Sequence, residues 1–190
     1  MASFNLEIAL LRHGKPKALS SAPISACQFS EWISRYDDSG IAENSAPAKA
    51  NLEYANKCDV LVCSSLPRSI QSAELLSSDQ PLVSDKLFCE AGMPCAQRKT
   101  LKLPPKVWAV LFRVFWYFGY SRNSESYSDA RKRASMAAHK LVALAEEHRS
   151  VMLVGHGIFN RLIARELKSL GWSGPANPGS LYWDYRIYTK

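Results

Sequence analysis

Leu6-Glu7-Ile8-Ala9-Leu10-Leu11 runs directly into Arg12-His13-Gly14. A short, mostly apolar run closed by the breakers Gly14-Lys15-Pro16 has the length of a buried strand and is too short for a helix. The pattern returns twice. Asp59-Val60-Leu61-Val62-Cys63 leads into Ser64-Ser65-Leu66-Pro67-Arg68, and Val151-Met152-Leu153-Val154 leads into Gly155-His156-Gly157. Leu82 to Phe88 reads as a weaker strand. Leu181 to Tyr188 alternates in part, as an edge strand does.

Between these runs the period changes. Phe29, Trp32, Ile33 and Tyr36 share one helical face, with Ser25 or Ser30 placed to cap it. Asp37 to Ala50 reads as loop. Pro67 suits a first helical turn, and Ile70, Ala73, Leu75 and Leu76 continue that helix to about Ser77. Glu125 to His148 lacks Gly and Pro and is rich in helix formers. Ile158, Leu162, Ile163, Leu167 and Leu170 mark a last helix, stopped by Gly171-Trp172-Ser173-Gly174-Pro175. Strands alternating with helices predict an α/β fold, a three-layer αβα sandwich around a mainly parallel sheet.

Composition bounds the function. The chain has 190 residues, 47% of them apolar and 22% charged, which fits one globular domain over residues 1–190 and excludes wholesale disorder. The longest near-apolar run, Val107 to Tyr120, contains Arg113 and is too short to span a bilayer. The start of the chain has neither a basic segment nor an apolar core of signal type, so a cytoplasmic location is expected. Five cysteines, none in CxxC spacing, with four scattered histidines, give no zinc pattern and read as free thiols. The net charge is +7, and the surplus is concentrated between residues 98 and 149. Such a stretch attracts anions without saying which.

The three strong strands share one more property. Their carboxyl ends carry Arg12-His13, Ser64 through Arg68, and His156. In parallel α/β sheets the ligand lies beyond those ends. Two Arg and two His gathered there suit a phosphoryl group, since Arg offers a planar fork to phosphate oxygens and His can donate, accept or attack.

Leu11-Arg12-His13-Gly14 resembles the Arg-His-Gly signature of the histidine phosphatase (phosphoglycerate mutase-like) superfamily. Ser64-Ser65-Leu66-Pro67-Arg68-Ser69-Ile70-Gln71-Ser72-Ala73 is similar to that family's Ser-x-x-x-Arg-x-x-Gln-[Thr/Ser]-Ala segment, and Val154-Gly155-His156-Gly157 to its second histidine motif. The resemblance implies that His13 is the nucleophile, forming a phosphohistidine, and that Arg12, Arg68 and His156 hold the phosphate oxygens. His13 must then be neutral at its attacking nitrogen, with the other ring nitrogen donating to a backbone carbonyl. It also implies no metal and no organic cofactor, the arginines supplying the positive charge. Glu90 occupies the stretch where the mutase-like branch carries its general acid, with Asp85 and Glu125 as runners-up.

This sequence departs from the mutase pattern at Lys15 and Leu19, where an acidic or amide residue and an Asn usually stand. That favours a phosphatase acting on a small phosphorylated substrate. The alternatives are a phosphoglycerate-type phosphomutase, or an inactive relative that binds phosphorylated ligands. Lys15 and Lys17 either read extra negative charge on the substrate or are simply exposed.

The basic, aromatic segment of about 98–122 has no assigned counterpart in the family. It holds Trp108, Phe112, Phe115, Trp116, Tyr117, Phe118 and Tyr120 among Lys102, Lys106, Arg113 and Arg122. It reads as core packing, as a lid or wall against an apolar leaving group, or as an interfacial helix. No nucleic-acid recognition element accompanies it. If it is a wall, Trp116→Ala impairs specific substrates more than a small generic ester.

Overall fold

The computed structural model describes residues 5–77, 79–98 and 100–190. The first strand, β1 (Glu7–Arg12), has four fully buried residues in succession. A strand covered on both faces needs such a continuous apolar run. β2 (Val60–Cys63) and β4 (Ser150–Gly155) have the same character. With β3 (Leu82–Ser84) and β5 (Tyr185–Thr189) they form one sheet in the order β3-β2-β4-β1-β5. β3, β2, β4 and β1 are parallel, and β5 closes the edge antiparallel to β1. The register pairs Arg12 with Gly155 and Cys63 with Val154, so the carboxyl ends of β2, β4 and β1 lie side by side.

The side-chain period of two sorts the sheet residues into two cores. Ile8, Leu10, Val62, Val151 and Leu153 face α5 (Tyr127–His148) and α6 (Gly157–Ser169). Ala9, Leu11, Leu61, Met152 and Val154 face α2 (Lys49–Ala55) and α3 (Pro67–Leu76). The expected αβα sandwich is present. α5 meets its neighbours through Ala130, Ala134, Ala137, Ala138 and Ala145, all fully buried, so its backbone approaches closely. Its cap is Ser126, whose Oγ accepts from the Asp129 N–H at 3.1 Å.

A third cluster stands above the sheet. α1 (Phe29–Asp37) packs on α4 (Pro105–Tyr117) through Phe29, Trp108 and Phe112. Their lead-in segments are tied by paired backbone bonds between Ile24 and Leu103, each 2.9 Å.

Several local expectations are corrected. The strand expected over Leu82 to Phe88 stops at Ser84, because the Asp85 carboxylate accepts from the Leu87 N–H and turns the chain into a 3-10 turn at Lys86–Phe88. The loop expected over Asp37 to Ala50 already enters α2 at Lys49. α1 begins after Gln28 with no side-chain cap, and neither Ser25 nor Ser30 fills that role. Among the described residues no helix is long and apolar enough to cross a membrane.

Candidate active site

The β1 end is fixed by backbone. His13 N–H donates to Gly155 O at 3.0 Å, joining it to the end of β4. Gly14 N–H donates to Ser72 Oγ on α3 at 2.9 Å. Gly14 has no room for a side chain: a β-carbon there would sit 2.5 Å from the Trp183 ring. Gly155 is equally constrained by the Asn160 carboxamide. That carboxamide accepts from His156 N–H and donates to Leu11 O, clamping the β4–α6 turn onto β1.

His13 is almost wholly buried. Its Nδ1 lies 2.7 Å from Gly14 O, and a carbonyl can only accept, so Nδ1 carries the hydrogen and Nε2 keeps its lone pair. Burial first, then the positive charge of Arg68, lowers its pKa from 6.5 to about 3. The Gly14 bond opposes that shift and Arg12 adds to it. The ring is therefore neutral across the physiological range.

His156 stands beside it, ring centroids 5.0 Å apart and planes inclined by 58°. Its Nε2 lies 2.6 Å from Ser64 Oγ. Complete burial, then the repulsion the two rings would feel if both were protonated, then the charges of Arg68 and Arg12 push its pKa well below the ordinary value. The Ser64–Arg68 segment therefore contributes twice, once through the Ser64 hydroxyl and once through Arg68.

Both arginines are braced. Arg68, fully buried, lies with Cζ 4.7 Å from the Tyr36 ring centroid, donating to Tyr36 O at 3.2 Å and to Asp37 Oδ1 at 3.1 Å. Arg12 sits 4.4 Å over the Tyr182 ring and donates to Ser180 O. Arg12 Nε, Arg68 Nε and His156 Nδ1 are buried without a protein partner. Buried polar atoms left unpaired are costly, and these three belong to residues gathered about His13, a set that can hold an anion.

Glu90 faces the same cavity. Its Oε1 accepts from Phe159 N–H at 2.9 Å and its Oε2 from Ile158 N–H at 3.2 Å, in the first turn of α6. The loop beneath it is held by two cations. Arg133 donates to Leu87 O, Cys89 O and Glu90 O, and Arg113 donates to Ala91 O and Gly92 O. The other two carboxylates lie elsewhere. Glu125 pairs with Arg133 at 2.5 Å, and Asp85 with Lys140 at 2.6 Å. Neither lines the cavity, and Lys15 and Lys17 are exposed outside it.

The cavity has a volume of about 600 Å³. Its floor is Arg12, His13, Arg68 and Glu90, and its walls come from α1 (Trp32, Ile33, Tyr36), α4 (Lys106, Ala109, Val110, Arg113, Val114) and Tyr182. Trp116 is not among them. It is fully buried beneath the Arg113 guanidinium, whose Cζ lies 4.6 Å from its ring centroid, and its Nε1 donates to Glu125 O. Ser64, Tyr36 and Tyr182 were not singled out from sequence. Ser64 opens the Ser-x-x-x-Arg motif and could have been. The two tyrosines come from segments with no motif at all.

The family model described as histidine phosphatase superfamily (branch 1) matches residues 8–180. No curated protein matches the sequence. Among solved structures, a native mycobacterial glucosyl-3-phosphoglycerate phosphatase superposes with a TM-score of 0.63 at 18% identity, over 97% of this chain and 90% of that one. Its complex with VO3 gives 0.64 at 20% identity, over 96% and 92%. A variant phosphoserine phosphatase from Entamoeba histolytica, in complex with phosphoserine, gives 0.52 at 15% identity, over 86% and 80%. At these identities the likeness is one of fold.

Proposed function

Because the chain belongs to the histidine phosphatase superfamily, branch 1, we propose that it is a phosphatase. It would hydrolyse a small phosphorylated substrate through a phosphohistidine on His13, without a metal or organic cofactor. The whole chain acts as one catalytic unit, with residues 98–122 supplying part of its wall. The observation that carries this reading is the neutral His13, its Nδ1 fixed on Gly14 O and its Nε2 lone pair free, among the Arg12, Arg68 and His156 donors.

In the first step Nε2 attacks phosphorus in line with the leaving oxygen. The N–P bond forms, the P–O bond breaks, and Glu90, in its acid form, gives its proton to the departing alkoxide. Arg12 and Arg68 neutralise the charge that spreads over the equatorial oxygens. Ser64 O–H, donating to His156 Nε2, would leave the imidazole hydrogen on Nδ1, which makes His156 a neutral third donor. In the second step water attacks phosphohistidine, the Glu90 carboxylate takes its proton, and phosphate and neutral His13 return.

The test is phosphate release from an aryl phosphate in the presence of EDTA, for the wild type and His13→Ala, with acid-labile, base-stable phosphate sought on the protein. Turnover and labelling that both vanish in the variant support the mechanism. Equal turnover in the two proteins removes His13 as nucleophile.

A further inference from the structure

α4 is apolar on two faces. Pro105, Trp108, Phe112 and Trp116 are buried against the rest of the protein. A helix lying on one core needs only that stripe. Yet Ala109, Val110 and Val114 form a second apolar stripe, and it is turned to the cavity. Val110 is 64% and Val114 44% exposed, at the mouth of a charged site where polar side chains would cost nothing.

The facing wall is of the same kind. Trp32, Ile33, Met93 and Ile158 complete it. Lys106, Tyr36 and Tyr182 also line the cavity, the two tyrosine rings lying against Arg68 and Arg12, and three other polar groups there are already engaged. The Trp32 Nε1–H donates to Ser20 O, the Arg113 guanidinium holds the Ala91 and Gly92 carbonyls, and the Glu90 carboxylate accepts from α6. Ligands rich in hydroxyls are recognised by polar groups that pair with them, and an apolar wall leaves such hydroxyls desolvated and unpaired.

We infer that the substrate is a phosphate monoester of an apolar alcohol, an alkyl or aryl phosphate whose leaving group packs between α1 and α4. This rests on the phosphatase reading and specifies the substrate class of that site. The phosphate occupies the Arg12–Arg68–His156 cradle, and the apolar group displaces water from Val110, Val114, Trp32 and Ile33.

The experiment is kcat/KM for n-alkyl phosphates from ethyl to octyl, below their micelle concentrations, with glucose 6-phosphate alongside. kcat/KM should climb with chain length by about fourfold per methylene, the factor expected for burying one CH2. Val110→Asp and Val114→Asp should flatten that slope. Val107→Asp, on the same helix but outside the cavity, should leave it intact. A flat slope in the wild type, or better turnover of glucose 6-phosphate than of octyl phosphate, overturns the inference while the phosphatase reading stands. If nothing is turned over, the phosphatase reading falls. Calorimetric affinity for the same series then decides: tightening with length supports the apolar site, and affinities equal to that of inorganic phosphate overturn it.

Discussion

Glu90 and His156 meet at one helix end. His156 is the residue before α6, and the Glu90 carboxylate caps that helix by accepting from the Ile158 and Phe159 N–H groups. The proposed acid is thus aimed by the same turn that positions His156, one of the proposed phosphate donors.

Glu90→Gln keeps one of the two oxygens that cap α6 and removes the transferable proton. Turnover of a phosphate ester with an alkanol leaving group should fall by roughly 10²–10⁴-fold, the usual contribution of general acid catalysis. 4-Nitrophenyl phosphate, whose leaving group needs no proton, should be hydrolysed nearly as before. Equal losses on both would reduce Glu90 to a structural cap.

Phosphate should stabilise the folded protein through the cradle. At a concentration near a hundred times Kd the gain is about 2.7 kcal/mol, or roughly 5–10 °C in Tm for a chain of this size. Arg68→Ala should abolish most of that increment, whatever it does to the ligand-free Tm. An undiminished increment would place the anion elsewhere.

The buried, neutral His13 links stability to pH. Its folded pKa, about 3, lies below the unfolded value of 6.5, so between these limits the unfolded chain binds the extra proton. Stability is complete above about pH 6.5 and declines as pH falls toward 3. His13→Gln should remove a few kcal/mol of this acid sensitivity, read as a shallower fall in urea midpoint from pH 7 to pH 4. His156, shifted the same way, accounts for part of what remains.

Two glycines flanking the site should respond oppositely to Ala. At Gly14 the added carbon would lie 2.5 Å from the Trp183 ring, whereas at Gly157 the nearest atom is Arg12 Nε at 3.5 Å, an ordinary contact. Gly14→Ala should therefore lower both Tm and kcat/KM by displacing His13. Gly157→Ala, in the first turn of α6, should be neutral or slightly stabilising.

Trp116→Ala should cost about 3–5 kcal/mol in unfolding free energy, as a core truncation does. Its kinetic defect should be the same for bulky and small substrates.

That last outcome shows where the sequence was legible. β1, β2 and β4 are continuous apolar runs, and their parallel order followed from the helices between them. Arg12, His13, Arg68 and His156 converge because β2, β4 and β1 are neighbours. The period of α4 was harder to read, since a helix apolar on both faces does not reveal which stripe is buried. Trp116 went to the core and Val110 to the cavity for that reason. α2 was missed because Lys49–Ala55 buries only Asn51 and Ala55, too few positions to show a period. Tyr36 and Tyr182 acquire their roles only through arginines contributed by other segments, which no local pattern announces.

The position of β1 has a consequence for how the protein comes into being on the ribosome. β1 is synthesised before both of the strands between which it is sandwiched, β4 and β5. Arg12 waits 168 residues for the carbonyl of Ser180. Until both neighbours arrive, an apolar strand with two open edges must be kept from pairing with other chains. Such long loop closures make for slow acquisition of the native state. A nascent chain lacking the segment after β4 would carry His13 without His156, so the proposed site would assemble only with completion of the sheet.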